Sequence, residues 1–337
     1  MSNYAYVATR ARSRRSRLLP AEAYNQLLNL EHAEIARYIQ DLEYRREIDR
    51  YGSTLNGADL IETALVDNLA KDIGDFLSFS KGKLRDILHV YAEKYRVDNL
   101  KNIIRGINQN MDRQNLERLV CPINDSDKDL YSKLYDSKTV EDVISSLEGT
   151  SYYNPLKKAL ESRNSDSLQP LEDTLDLIYY RNLVSNQPSG GADVEVYRNF
   201  VQLKVDIANI KTLLRMRHRG IGSHDELLIS GGTLATDLLA STQSLEDLLS
   251  SLEGTKYFEL LEPHLKPDSV DLNSCVHSLD EYMAKKTKRF SYLYPLSVLP
   301  VLDYLLKKER EVYNLRAIVR GKQAGLANDI IEELVVV

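Results

Sequence analysis

The chain of 337 residues contains no tryptophan and only two cysteines. Cys121 and Cys275 lie far apart and have no ligand-type neighbour at metal spacing. Neither a disulfide framework nor a zinc site is written into them, and reduced thiols in a cytosolic setting are expected. The six histidines are scattered, and none pairs with a second ligand at helical spacing. No apolar run approaches the roughly 18–20 residues that a membrane-spanning helix needs. The first six residues lack the apolar core of a secretory signal, so a soluble or peripheral protein is expected. Strand signals are nearly absent, the largely β-branched residues 334–337 being short and terminal. A net charge of −6 and a pI of about 5.7 speak against a dedicated nucleic-acid binder. Catalytic signatures are missing as well: no nucleophile–base triad, no nucleotide fingerprint. Gly231-Gly232-Thr233 has the flavour of a phosphate loop. It lacks both the Gly-Lys-Ser/Thr ending and a preceding strand, and reads as a lead-in to a helix. No catalytic residue, metal or cofactor is therefore expected.

What the chain does have is a triplicated heptapeptide. Asn99-Leu100-Lys101-Asn102-Ile103-Ile104-Arg105 returns as Asn209-Ile210-Lys211-Thr212-Leu213-Leu214-Arg215 and as Asn314-Leu315-Arg316-Ala317-Ile318-Val319-Arg320. The asparagines are 110 and 105 residues apart. A fixed period this long marks a triplicated domain, divided here as 1–110, 111–222 and 223–337. On a helix the three apolar positions form one stripe, Asn lies at its edge, and the two cations stand i, i+4 on another face. Like charges at that spacing repel by roughly 0.2–0.5 kcal/mol, so the helix alone does not account for them. Their counter-charges come from other helices, from a partner, or from water. For Arg105, Arg215 and Arg320 two placements compete, closure of the molecule's own helices and projection towards a partner. The recurrence of the motif in segments that cannot all touch identical partner surfaces favours the first.

A second signal has the same offset. Leu245-Glu246-Asp247-Leu248-Leu249-Ser250-Ser251-Leu252-Glu253-Gly254-Thr255-Lys256-Tyr257 nearly repeats residues 140–152, 105 residues later, and a weaker copy leads to Tyr44. Tyr44, Tyr152 and Tyr257 precede the motif asparagines by 55, 57 and 57 residues. Glu141-Asp142 and Glu246-Asp247 resemble paired carboxylates for acid–base work. Acids in a first helical turn behind Thr139 and Ser244 as N-caps explain them better. Each repeat reads as short helices, a turn and longer helices that end in the Asn-to-Arg helix. Gly74 is expected to interrupt the helix around residues 60–77, and Gly106 to stop the first motif helix. Met216-Arg217-His218-Arg219 before Gly220 is expected to lengthen the second by a turn. Residues 187–191 and 230–233 read as hinges. Near the start, Arg10, Arg12, Arg14, Arg15 and Arg17 form a basic run without an acid. It reads either as a candidate interaction arm or as a solvated helix face.

The triplicated Asn-Leu-Lys-x-Ile-Ile-Arg pattern resembles the C subunit of the archaeal and bacterial A/V-type rotary ATPases and the d subunit of the eukaryotic vacuolar enzyme. Tyr4-Ala5-Tyr6-Val7-Ala8-Thr9-Arg10-Ala11-Arg12 and Glu34-Ile35-Ala36-Arg37-Tyr38-Ile39 are similar to the same family. The resemblance runs from Tyr4 to Gly321. It implies an all-α chain of three pseudo-threefold-related helical domains that form a funnel or socket. It further implies a non-catalytic adaptor on the cytoplasmic face of the cell membrane, without cofactor, small-molecule substrate or nucleic acid. Its partners would be the membrane rotor ring and the D and F subunits of the central stalk, so that ion flow drives ATP synthesis or the reverse. The contact with the membrane would run through protein. A helical-repeat scaffold with unrelated partners is the alternative, although its usual period is roughly 20–50 residues. An enzyme gripping a phosphorylated ligand with the motif cations would need convergent carboxylates or a nucleophile, and none is evident.

Overall fold

The computed structural model describes residues 3–162, 167–188, 190–222, 225–266 and 269–335. These form eighteen α-helices: α1 (Tyr4–Arg15), α2 (Ala21–Leu27), α3 (His32–Gln40), α4 (Arg45–Tyr51), α5 (Gly57–Phe79), α6 (Lys83–Asn108), α7 (Arg113–Leu119), α8 (Asp125–Leu134), α9 (Val140–Ser145), α10 (Tyr153–Glu161), α11 (Gln169–Ser185), α12 (Ala192–His218), α13 (Thr236–Ser241), α14 (Leu245–Ser251), α15 (Lys256–Leu261), α16 (Leu272–Leu293), α17 (Leu299–Gln323) and α18 (Asn328–Leu334). A two-residue antiparallel ladder, Leu265–Lys266 against Ser269–Val270, is the extended pairing among the described residues. The all-helical expectation holds. Val336 and Val337 lie outside the described residues, as do Ser189 in one expected hinge and Ser223 beside the second repeat boundary.

The long helices follow from their apolar spacing. In α5, Ile61, Ala64, Leu65, Ile73 and Phe76 recur at helical intervals and are all buried. Gly74 does not interrupt the helix. It lets the carbonyl of Ile123 approach, 3.3 Å from where a β-carbon would stand. The paired carboxylates are capping devices. Asp142 N–H donates to Thr139 Oγ1 at 3.1 Å while the Asp142 carboxylate accepts from Thr139 N–H at 3.0 Å. Asp247 and Ser244 repeat this, at 3.0 and 3.1 Å. The first repeat forms the device between Glu31 and Glu34, with the Glu34 carboxylate accepting from Glu31 N–H at 2.8 Å. Glu31, Thr139 and Ser244 all stand thirteen residues before the repeated tyrosine.

By internal contacts the chain divides into two compact units, residues 1–168 with 301–337, and residues 169–300. This partition differs from the repeat boundaries because each motif helix packs on the segment that follows it in the repeat order. In the first unit α6 packs on α7 and α9, and in the second α12 packs on α14 and α16. The third motif helix is α17. It binds residues from the first, and this is why residues 301–337 belong with residues 1–168.

Candidate functional site

The motif places its apolar stripe as expected. Leu100, Ile103, Ile104, Ile210, Leu213, Leu214, Leu315, Ile318 and Val319 are all buried. The asparagine at the edge of the stripe is buried too, and its amide ties down a passing chain. Asn99 donates through Nδ2 to the Cys121 carbonyl at 2.8 Å, and its Oδ1 accepts from Cys121 N–H at 2.9 Å. Asn209 does the same to Ile229, at 2.8 and 2.9 Å. Asn314 shares a hydrogen bond with the hydroxyl of Tyr24. In the first copy Tyr131 takes the corresponding place, 3.3 Å from Asn99 Nδ2.

The repeated tyrosines each meet a carboxylate on a motif helix, a pairing that their spacing alone does not reveal. Tyr44 donates to Glu311 on α17 at 2.6 Å, Tyr257 donates to Asp206 on α12 at 3.1 Å, and Tyr152 donates to Glu93 on α6. Burial and the adjacent carboxylate hold the Tyr44 hydroxyl well above its ordinary range. Glu311 also accepts from Leu19 N–H at 2.6 Å and from the buried Lys308 at 3.2 Å. Asp206 explains the glycine-rich loop that follows it. It accepts from Thr233 N–H at 2.8 Å and Leu234 N–H at 3.1 Å, and a β-carbon at Gly232 would fall onto its carboxylate. The loop therefore cradles an anion of its own chain, and residues 230–233 are anchored, where a hinge was expected. A legible signal was present: Asp206 and Glu311 both stand three residues before the motif asparagine.

The motif cations mostly find acids within the same compact unit. Arg316 and Arg320 both reach the buried carboxylate of Glu62 on α5, Arg316 Nε at 2.6 Å, and Arg320 also lies 3.1 Å from Asp59. Lys211 pairs with Asp280 on α16 at 2.6 Å, and Arg215 with Asp173 on α11 at 2.9 Å. Lys101 is half-buried and Arg105 is exposed. In the third copy the acids therefore come from the first repeat and not from the arginines' own segment.

The basic run near the start forms α1 and the turn after it. Arg10 lies over the rings of Phe79 and Tyr6, 4.3 and 4.8 Å from their centres. Arg14 pairs with Asp72 at 2.6 Å, Arg15 with Asp303 at 2.6 Å and Arg17 with Glu43 at 3.0 Å. Arg12 is exposed and makes no ion pair among the described residues. Burial pushes the Asp72 carboxyl up, and Lys308, the Tyr304 hydroxyl and Arg14 oppose this only in part. For Lys94 burial pulls the pKa down, but Glu309 at 2.5 Å outweighs it and the ammonium is held above its usual range.

No group of three or more metal-type ligands occurs among the described residues, and no described helix is long and apolar enough to cross a membrane. The second copy of the motif opens on a cleft of about 220 Å³ where Lys211 and Arg215 face Asp173 and Asp176. Its volume is below the roughly 300–1,000 Å³ of ligand pockets, and its charges largely cancel. The polar chemistry of the repeat is thus spent on joining helices. The fold and the motif define a class of protein: an all-helical chain in which one motif occurs three times and its residues join helices. The chain belongs to the ATP synthase (C/AC39) subunit family, whose profile matches residues 7–334. It is 36% identical over 342 residues to the C subunit of the A-type ATP synthase of Haloferax volcanii, covering 99% of this chain and 98% of that protein. It is 33% identical to the protein of the same name from Archaeoglobus fulgidus, covering 99% and 96%. Against that of Methanococcoides burtonii it is 32% identical, covering 100% and 95%.

Proposed function

We propose that this protein is the non-catalytic coupling component of an A-type ATP synthase, linking the membrane rotor ring to the D and F subunits of the central stalk on the cytoplasmic face of the cell membrane. The observation that carries this reading is the match to the C subunits of A-type ATP synthases over essentially the whole chain. The internal triplication supports it. In this reading the repeats 1–110, 111–222 and 223–337 form three pseudo-threefold lobes around a socket for the stalk. Such an adaptor needs wide surfaces and no reaction chemistry, which suits a chain whose repeated polar residues hold helices together. Torque passes only through a contact that does not slip, and stable interfaces bury about 1,200 Å² or more in total. The test is reconstitution from purified components. The chain is expected to co-elute with the D–F stalk pair and, separately, with the detergent-solubilised ring, and to bridge the two when all are mixed. It is expected to show no ATP turnover of its own. Failure to bind either neighbour, or ATP turnover that persists through repurification, overturns the reading.

A further inference from the structure

The last turn of α16 and its connection to α17, which lie within the second compact unit, expose apolar side chains. Tyr292, Leu293, Tyr294 and Leu296 are 62%, 59%, 41% and 63% exposed, and Pro295 between them is exposed as well. The turn is fixed. Tyr294 N–H donates to the Phe290 carbonyl at 2.8 Å, and Ser297 donates to the Tyr294 carbonyl through its N–H at 3.2 Å and its hydroxyl at 2.7 Å. Leu299 N–H then donates to Ser297 Oγ at 3.2 Å, and Val298 and Leu299 return to the core. These side chains are therefore exposed on a hydrogen-bonded turn. The corresponding connections in the other two repeats are polar: Ser80-Lys81-Gly82 between α5 and α6, and Asn186-Gln187-Pro188-Ser189-Gly190-Gly191 between α11 and α12. The same pair of long helices closes twice without Tyr-Leu-Tyr-Pro-Leu, so joining helices does not explain it.

The charge around this turn is equally uneven. Residues 282–302 contain no Asp or Glu, in a chain whose net charge is −6. Lys285, Lys288 and Arg289 are exposed. Lys285 pairs with Glu281, while Lys288 and Arg289 make no ion pair among the described residues. On α16 Lys288 stands one turn before Tyr292, and Arg289 one turn before Leu293, so cation and apolar group share a face. We propose that this turn contacts the interface of an anionic lipid bilayer. Leu293 and Leu296 enter the boundary between headgroups and acyl chains, the tyrosines sit at headgroup level, and Lys288 and Arg289 pair with lipid phosphates. Five residues are too few to form a stable protein interface by themselves. They suit a shallow, charge-assisted contact with a lipid surface. The contact adds to the protein contacts proposed above and is tested without them.

The experiment is flotation of the full chain with protein-free vesicles of phosphatidylcholine alone or mixed with phosphatidylglycerol. The wild type is expected to float with the anionic vesicles at low salt, to be released at about 0.5 M salt, and to ignore pure phosphatidylcholine. Leu293→Asp/Leu296→Asp and Lys288→Glu/Arg289→Glu are each expected to weaken binding at least tenfold. Both are expected to keep the wild-type melting curve, because these side chains are exposed. Wild type that fails to float with anionic vesicles, or variants that float as well as wild type, overturn the proposal. If no form floats but the variants lose the solubilised ring, the turn is a protein contact. The lipid proposal then falls while the coupling role stands.

Discussion

Asn99 and Asn209 carry the same load with the same two atoms. Each is buried and each satisfies both backbone groups of one residue, Cys121 or Ile229. Truncating the amide strands a donor and an acceptor away from water, at about 1–3 kcal/mol for each stranded group. Asn99→Ala and Asn209→Ala are therefore expected to lower stability in urea unfolding by about 2 kcal/mol or more. Asn→Asp does not rescue, since a carboxylate cannot donate to the carbonyl. Variants that unfold at the wild-type midpoint would show that the clamp is dispensable. The cations behave differently because of their exposure. Arg316 and Arg320 are about two-fifths exposed, yet both serve Glu62, whose side chain is 4% exposed. Losing one guanidinium leaves Glu62 paired, and a half-exposed ion pair is worth only about 0–1 kcal/mol. Losing both leaves a buried carboxylate alone, at about 3–5 kcal/mol. Arg316→Ala and Arg320→Ala are each expected to be mild, and the double variant to exceed their sum by at least about 1.5 kcal/mol in a double-mutant cycle. Additive losses would mean that the two arginines act independently.

All three motif helices end in the same register. α6, α12 and α17 stop nine residues after the motif asparagine, at Asn108, His218 and Gln323. Two residues later Asn110, Gly220 and Gly325 take a positive φ of 55°, 66° and 71°. One residue further on, the N–H groups of Met111, Ile221 and Leu326 return to the carbonyls of Gly106, Met216 and Gly321 at 2.9, 3.0 and 3.0 Å. This is a Schellman cap repeated three times. The second helix thus runs no further past its motif than the others do, where an extra turn was expected, and Gly106 is no stop. Gly106 and Gly321 lie inside their helices, where α7 and α18 cross them. A β-carbon there would stand 2.2 Å from Leu116 Cδ2 and 2.7 Å from Ile331 Cγ1. Among the described residues, the corresponding stretch of the second copy holds the short turn Asp225–Leu227, and Met216 is buried there. The apolar stripe and the capping boxes were legible because they depend on residues three or four apart. The role of Gly106 was not, since glycine signals a helix end and a close crossing alike, and only the position of α7 separates the two. Gly→Ala within a helix ordinarily stabilises by about 1 kcal/mol. Here the overpacking is expected to reverse the sign, with Gly106→Ala and Gly321→Ala losing about 1–3 kcal/mol in thermal or urea unfolding. A gain in either variant would show that α7 or α18 yields at little cost.

At the scale of the whole chain, the period marks three similar segments but not what each packs against. A period of 105–110 residues says that three segments are alike. It does not say whether a motif helix packs within its own segment or on the next. Tyr152 with Glu93, Tyr257 with Asp206 and Tyr44 with Glu311 all run from one repeat to the motif helix of the repeat before it. For the third motif helix that order leads back to the start of the chain. α17 gives the first unit eight buried apolar residues, Val301, Leu302, Tyr304, Leu305, Val312, Leu315, Ile318 and Val319. Its polar groups hold Arg15, Tyr44, Glu62 and Lys94, and its Val319 carbonyl meets His32 at 2.9 Å. Each buried apolar side chain is worth about 1.5–3 kcal/mol, and the total stability of a domain is only about 5–15 kcal/mol. A fragment of residues 1–168 that lacks α17 is therefore expected not to fold cooperatively, and neither is the fragment 1–110 drawn from the repeat boundary. Joining residues 301–337 ahead of residue 1 through a long glycine–serine linker is expected to restore a cooperative melt to residues 1–168. Circular dichroism against temperature distinguishes the three chains. A sharp, native-like transition in either fragment alone would mean that α17 caps a core already complete without it, and a permuted chain that melts no better than residues 1–168 would mean the same.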